Sequence, residues 1–397
     1  MDKCDVLVAG AGLSGSTASL ILSKKGYKVY TIDKTEKIGG FTNNKIDITE
    51  SELPDGSKLG DILKEINAKP LKEFNKSKWH SRNEDFILEP DVYDYYFKRG
   101  PSKDSIDYQI MNQAINAGCI FENNTVVDKF NIKNDQIYEV IIKKGNKKIS
   151  INPKIIIGAD GSYSNCRKLG GITEKKSGVL EGIGMVIKNE ENQYTKVFFD
   201  TEYAPGGYIY FGAEKKDCFV AMMIDRKKTN FSLKQLLEYN KKKNKFFKYI
   251  EDNEIKNTFT GSEKYGILEG IRKNNLLLVG GAGLLINPFM GYGVNYAIVS
   301  GYKAAKIIDD NLTNNVDLEN YNNYYYENFL PYFKNAIKAR LIFNKLTNKD
   351  LDFIIRSFNY ITKENAEGLK VLIQIFKAKP TSIKALRILN VFSKILL

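Results

Sequence analysis

The chain has 397 residues, with 60 Lys+Arg against 47 Asp+Glu, a net charge of +13 and a single histidine. Hydrophobic residues at 43% and aromatics at 12% supply more than one core and exclude a disordered chain. Four scattered cysteines (Cys4, Cys119, Cys166, Cys218) without a CxxC pair, and one His80, exclude a disulfide scaffold and a thiolate or histidine metal centre; no metal is expected. The absence of disulfide spacing favours a reducing, cytoplasmic setting, and the start MDKCDVLVAG runs into a strand rather than a signal peptide. The positive balance fits an anionic partner, yet the lysines are dispersed and form no zinc-finger, RNP or basic-zipper pattern, so nucleic acid is not expected.

Val6–Ala9 reads as a buried strand, Gly10-Ala-Gly12-Leu13-Ser14-Gly15 as a turn, Leu13–Lys25 as a helix and Tyr27–Asp33 as a second strand. GxGxxG between strand and helix is the dinucleotide fingerprint. The first glycine makes the tight turn, the second admits a pyrophosphate to the backbone, and Gly15 lets helix and strand approach. Asp33, closing the second strand, is placed for the hydroxyls of an adenosine ribose.

Residues Gly60–Pro90 read as polar and irregular, with Trp79 beside His80. Ser105–Asn116 reads as a helix ended by Gly118, and strands follow at Thr125–Ile132, Gln136–Lys143 and Lys148–Ile151. Ile155–Gly158 is a further buried strand leading into Ala159-Asp160-Gly161. Period-two runs at Gly184–Ile187, Lys196–Phe199, Tyr208–Phe211 and Phe219–Ile224 predict an antiparallel sheet, and Ser232–Asn253 a lysine-rich helix. Asn274–Tyr302 carries no charge, but six glycines and Pro288 make it strand, glycine loop and helix rather than a membrane span. Everything after Leu318 reads as helical. Within it, Ile383, Leu386, Leu389, Phe392 and Leu396 recur at helical spacing opposite Lys384, Arg387 and Lys394, a basic amphipathic pattern suited to an anionic membrane surface.

Three glycine motifs stand in order: Gly10-x-Gly12-x-x-Gly15, Gly158-Ala-Asp160-Gly161 with Arg167 following, and Val279-Gly-Gly281-Ala-Gly-Leu-Leu-Ile-Asn287-Pro288-Phe-Met-Gly291-Tyr-Gly293. Together they resemble the FAD-dependent oxidoreductases of the para-hydroxybenzoate hydroxylase-like fold, and within them the archaeal geranylgeranyl reductase family. The resemblance covers about residues 1–310. It implies an α/β fold: a Rossmann-like FAD-binding domain from residues 1–60, 91–175 and 262–312, a substrate sheet domain from 61–90 and 176–261, and a C-terminal helical region 313–397.

The same resemblance implies the site. FAD is to be held by Gly10, Gly12, Leu13, Ser14, Gly15, Asp33, Lys34, Gly40, Arg99, Lys103, Val127, Asp160, Gly161, Gly281, Pro288, Gly291, Gly293 and Val294. Lys103 stands where the family has an arginine near the phosphates, with Arg99 able to take that role. Gly281 stands where the family has an aspartate, and the family's cysteine after the second strand is replaced by the stretch Gly39–Lys45. Gly207–Gly212 keeps aromatics but not the Phe-Pro of the prenyl reductases.

The activity implied is hydride transfer from reduced flavin to a carbon–carbon double bond of an isoprenoid chain. Electrons come from NADPH, NADH or ferredoxin. Tyr208, Tyr210 and Phe211 are candidates for an aromatic wall over the ring, and His80 for a proton donor. The partner expected is a prenyl lipid, at the inner face of a membrane. Two other readings fit the same motifs: a flavin monooxygenase for an apolar substrate, and a non-catalytic, membrane-associated protein on the same fold.

Overall fold

A computed structural model describes residues 3–40, 45–49, 53–89, 94–188, 195–212, 217–244, 247 and 255–364. The amphipathic segment 383–397 lies outside the described residues.

Two large sheets organise the molecule. The first has a parallel centre in the order Leu276–Leu278, Lys147–Gly158, Lys3–Ala9, Val29–Ile32, Ile120–Glu122. Its strands are apolar runs because they lie inside one core, which the helices Leu13–Lys24 and Ile106–Asn116, packed on each other, share with apolar residues of Thr125–Lys133 and Gln136–Lys144. The expected strands Lys148–Ile151 and Ile155–Gly158 are one strand, Lys147–Gly158. Its first half pairs antiparallel with Gln136–Lys144, and from Asn152 onward it pairs with Lys3–Ala9. Pro153, which has no N–H to give, sits at this changeover, where loss of a ladder bond costs least.

The second sheet runs Ile255–Leu268, Glu174–Lys188, Asp217–Asp225, Tyr208–Phe211, Thr195–Phe198, Ser77–His80, Asp85–Leu88. The last two strands arise from the stretch expected to be irregular. Trp79 and Phe86 are buried there, and this tertiary burial organises a sequence whose local pattern is polar. Strand Ile255–Leu268, absent from the sequence reading, pairs with Glu174–Lys188 along nearly its whole length and runs across the expected boundary at residue 262. The lysine-rich helix is shorter than expected, Leu233–Lys243, started by a Ser232–Gln235 capping box.

Each face of the second sheet has its own core. Ile209, Phe211, Val220, Met222 and Ile224 face the helix Leu233–Lys243. Tyr208, Tyr210, Val197, Phe199 and Trp79 face the C-terminal helices Leu330–Phe343 and Asn348–Glu364. Phe211 therefore cannot share a wall with Tyr208 and Tyr210. Strand alternation puts it on the opposite face, where its ring meets Phe247 at 5.9 Å. The helical run from Asn320 to Phe343 widens into a π-turn at Tyr325–Phe329, just before Pro331. That proline has no N–H for the usual bond to the preceding turn.

Candidate functional site

Between the first strand, the second strand and Ala159–Gly161 opens a cavity of about 520 Å³. Gly10, Gly12, Asp33, Lys34, Gly40, Arg99, Val127, Asp160 and Gly161, all among the residues expected to hold FAD, line it. Gly10 has φ +115°, and a Cβ there would overlap the Ala159 carbonyl. A Cβ on Gly15 would overlap the Gly10 carbonyl, so this glycine serves close helix–strand packing. A Cβ on Gly12 would touch no protein atom within 4 Å. The turn thus leaves Gly12 open toward the cavity, as a phosphate needs.

Asp33 is held ready at the end of its strand. Its Oδ2 accepts the Ala11 N–H at 2.7 Å, and its Oδ1 accepts the backbone N–H and hydroxyl of Thr35 at 2.8 and 2.6 Å. Asp160 also lines the cavity, but its carboxylate is spent on structure. It accepts from Ser164 Oγ, Asn165 N and Cys166 N and so caps the short helix Asn165–Leu169. Val127 lines the cavity and its carbonyl accepts Asn165 Nδ2 at 2.9 Å.

Of the two basic candidates for the phosphates, Arg99 reaches the cavity and Lys103 does not. Lys103 is exposed and outside the lining, whereas Arg99 is half-buried. Asp107 grips the Arg99 guanidinium through Nε at 2.6 Å and Nη2 at 2.8 Å, which fixes its plane and leaves Nη1 outside the pair. Leu13, Ser14 and Gly15 lie on the buried first turn of the helix and not on the cavity wall.

Gly281, Pro288, Gly291, Gly293 and Val294 are not on that cavity's wall: Gly281 lies beside Gly161 and Ser162, and Gly291 reaches the second sheet. A Cβ on Gly291 (φ +76°) would press on Met223 Sδ and Leu180 Cδ1 of that sheet. Gly293 begins the helix Val294–Asn314 with no side-chain cap, so the first-turn N–H groups are left to other acceptors. Tyr208 is half-buried and its hydroxyl donates to the Met290 carbonyl at 2.8 Å. Tyr210 shares this face, against Phe219 at 6.3 Å. His80 points from the strand Ser77–His80, paired on both sides, toward Asp85, Nδ1 to Oδ2 3.8 Å, and does not line the cavity.

Beyond Tyr208 and Tyr210 the same sheet face is aromatic and buried. Trp79 meets Phe199 at 5.4 Å and Phe86 at 5.7 Å, and Phe199 meets Phe343 at 6.0 Å. Sequence reasoning missed the groups that hold the turn before Gly291, namely Asn287, Tyr332 and Arg340. Asn287 lay inside a motif and was legible there, while Arg340 and Tyr332 lie in a helical stretch with no local signature.

Burial sets the charge state of the deep groups. The Cys4 thiol is pushed up to about 12 by burial, with Asp5 adding to it, and the Cys166 thiol is raised by burial and then by Asp160, so neither is a nucleophile. Burial likewise holds the Tyr292 and Tyr296 hydroxyls well above the usual phenol range and keeps them neutral.

The residues present fit FAD: an open glycine turn, a positioned ribose-type carboxylate, an oriented arginine and an uncapped helix start. A family model described as "FAD binding domain" matches residues 3–327. A digeranylgeranylglycerophospholipid reductase of Methanocaldococcus jannaschii is 23% identical over 417 residues, covering 96% of this chain and 97% of that protein. An uncharacterised protein of the same organism is 30% identical over 226 residues, 56% of this chain and 58% of that protein. Among solved structures, a geranylgeranyl bacteriochlorophyll reductase-like protein from Thermoplasma acidophilum superposes with a TM-score of 0.80 at 20% identity, over 98% of this chain and 100% of that one.

Proposed function

This chain belongs to the FAD binding domain family, and from that membership we propose that it is an FAD-dependent reductase of carbon–carbon double bonds in the isoprenoid chains of lipids. Relatives matching nearly the whole chain carry the name digeranylgeranylglycerophospholipid reductase, which supports the substrate class. The single observation behind the reading is the continuous face of the second sheet. It passes from Leu180 and Met223, against Gly291, through Tyr208 and Tyr210 to the cluster of Trp79, Phe199 and Phe343.

FAD, once bound and reduced, supplies the hydride for the alkene. The chain's own residues do the rest. Gly12 and the first helix receive the pyrophosphate, Asp33 the ribose hydroxyls, and Arg99 adds a fixed positive charge. The uncapped start of Val294–Asn314 would offer donor N–H groups and the positive end of a helix to the negative charge that reduction brings. The aromatic face excludes water and offers apolar surface to a prenyl chain. The cluster leaves only about 10 Å³ of free space. A chain entering it therefore displaces side chains of the helix Asn348–Glu364.

We assign electron supply to NADPH, NADH or ferredoxin, and lipid contact to a membrane surface met by the basic C-terminal segment. No helix among the described residues is long and apolar enough to cross a membrane. The test is the visible spectrum of the purified protein followed by anaerobic reduction. A flavin spectrum that bleaches and returns on addition of a prenyl-lipid acceptor supports the reductase. Oxygen consumption coupled to nicotinamide oxidation assigns a monooxygenase instead, and a protein that stays colourless with added FAD overturns both.

A further inference from the structure

The turn Pro288–Gly291 is gripped on all sides. Asn287 Oδ1 accepts the N–H groups of Phe289 and Met290 at 2.8 and 2.9 Å, and the Asn287 carbonyl accepts the Gly291 N–H at 2.8 Å. Two of the turn's carbonyls go to side chains from distant elements. Arg340 Nη1 donates to Phe289 O at 2.9 Å, and the Tyr208 hydroxyl donates to Met290 O at 2.8 Å. Asn287 is itself anchored, its Nδ2 donating to the Tyr332 hydroxyl at 2.8 Å. Tyr332 and Arg340 stand about two turns apart on the helix Leu330–Phe343, hence near one face.

Arg340 is 1% exposed. Its Nε lies 3.7 Å from Asp225 Oδ2, beyond hydrogen-bond reach, and Nε and Nη2 have no hydrogen-bond partner. Asp225, itself buried, balances the charge, but a guanidinium with two nitrogens lacking hydrogen bonds is still incompletely satisfied. Such a residue is a poor choice for packing alone. Its one good bond goes to the turn whose far end is Gly291.

We infer that Arg340 and Tyr208 are positioning residues that set the Pro288–Gly291 turn against the flavin, coupling the C-terminal helix and the substrate sheet to the cofactor's electronic environment. The inference rests on the proposed FAD site. It gives Tyr208 a role through the backbone it holds, beside its place on the aromatic face. Because Asp225 pairs with the Arg340 guanidinium, Arg340 acts on the cofactor through the placement of the turn its Nη1 holds.

The test uses the full chain loaded with FAD, with Arg340→Met, Arg340→Lys and Tyr208→Phe variants. The midpoint potential of the bound flavin, its dissociation constant and thermal melting are measured together. Arg340→Met and Tyr208→Phe are each expected to move the potential to more negative values. Their combination moves it by less than the sum, because both act through one turn, and Arg340→Lys recovers part of the shift. If wild type binds FAD and the variants keep its potential while only melting lower, the inference is overturned and the residues are structural. If wild type takes up no FAD, the site reading fails and the inference falls with it. Should Arg340→Met not fold, Tyr208→Phe, which removes one oxygen, and Arg340→Lys decide the matter.

Discussion

A Cβ placed on Gly281 would lie 2.9 Å from the amide nitrogen of Ser162, with the Gly161 carbonyl carbon at 3.2 Å. The position at which the geranylgeranyl reductases were expected to carry an aspartate is therefore closed by backbone. Gly281→Asp should not restore a missing ligand. It should lower stability by about 1–3 kcal/mol through overpacking and leave FAD binding no tighter. Urea unfolding and fluorescence titration with FAD check both parts, and an aspartate variant that binds FAD more tightly at full stability would sink the idea.

Gly12 and Gly15 are three residues apart and should respond oppositely to the same methyl group. A Cβ on Gly15 overlaps the Gly10 carbonyl and lies 3.0 Å from Ala159 Cβ, so Gly15→Ala should destabilise the fold. Gly12→Ala meets nothing in the protein and should melt near wild type, while FAD affinity falls by about tenfold or more, some 1.4 kcal/mol. Equal losses of melting temperature in both variants would remove Gly12 from the phosphate site.

Trp79 is packed between Phe86 and Phe199 at the apolar end of the aromatic sheet face. Trp79→Ala should cost about 3–5 kcal/mol by cavity formation, so the informative change is Trp79→Phe. We expect that variant to hold FAD as wild type does and to raise KM for long prenyl acceptors more than for short ones. A uniform drop in kcat across chain lengths would place the substrate elsewhere.

Acid should unfold the second sheet through identifiable carboxylates. The Tyr239 hydroxyl, and then Arg82, hold the Glu202 carboxyl below its ordinary 4.5. A lowered folded-state pKa means the stabilisation is full above the unfolded value and is lost as pH falls through the folded one. Melting temperature should therefore fall below about pH 4.5, and Glu202→Gln should flatten that fall while changing little at pH 7. A Glu202→Gln curve parallel to wild type across pH 3–5 would contradict this.

Much of the first domain was legible because its chemistry is local. A glycine turn between an apolar strand and a helix, followed by an acid, names its own geometry: Gly10 needs positive φ, Gly15 needs the absence of Cβ, and Asp33 needs only the end of a strand. Period-two alternation likewise foretold Tyr208–Phe211 as a strand, and its alternation carries Phe211 to the face opposite Tyr208. Strands Ser77–His80 and Asp85–Leu88 were not legible, because their polar sequences become strands only by pairing at the sheet's end and burying Trp79 and Phe86.

The sequence by itself determined the cofactor-binding unit, since backbone conformation and the absence of a side chain are properties of single residues in a short run. Tertiary structure alone decided which base reaches the cavity. Arg99 is turned there by Asp107, while Lys103 faces outward. It alone brought Arg340 and Tyr332 to a turn some 50 residues earlier in the chain. It alone closed the place beside Gly281 with the backbone of Gly161 and Ser162. Those relations join residues with no common period or spacing, so they exist only once the two sheets and the C-terminal helix have packed together.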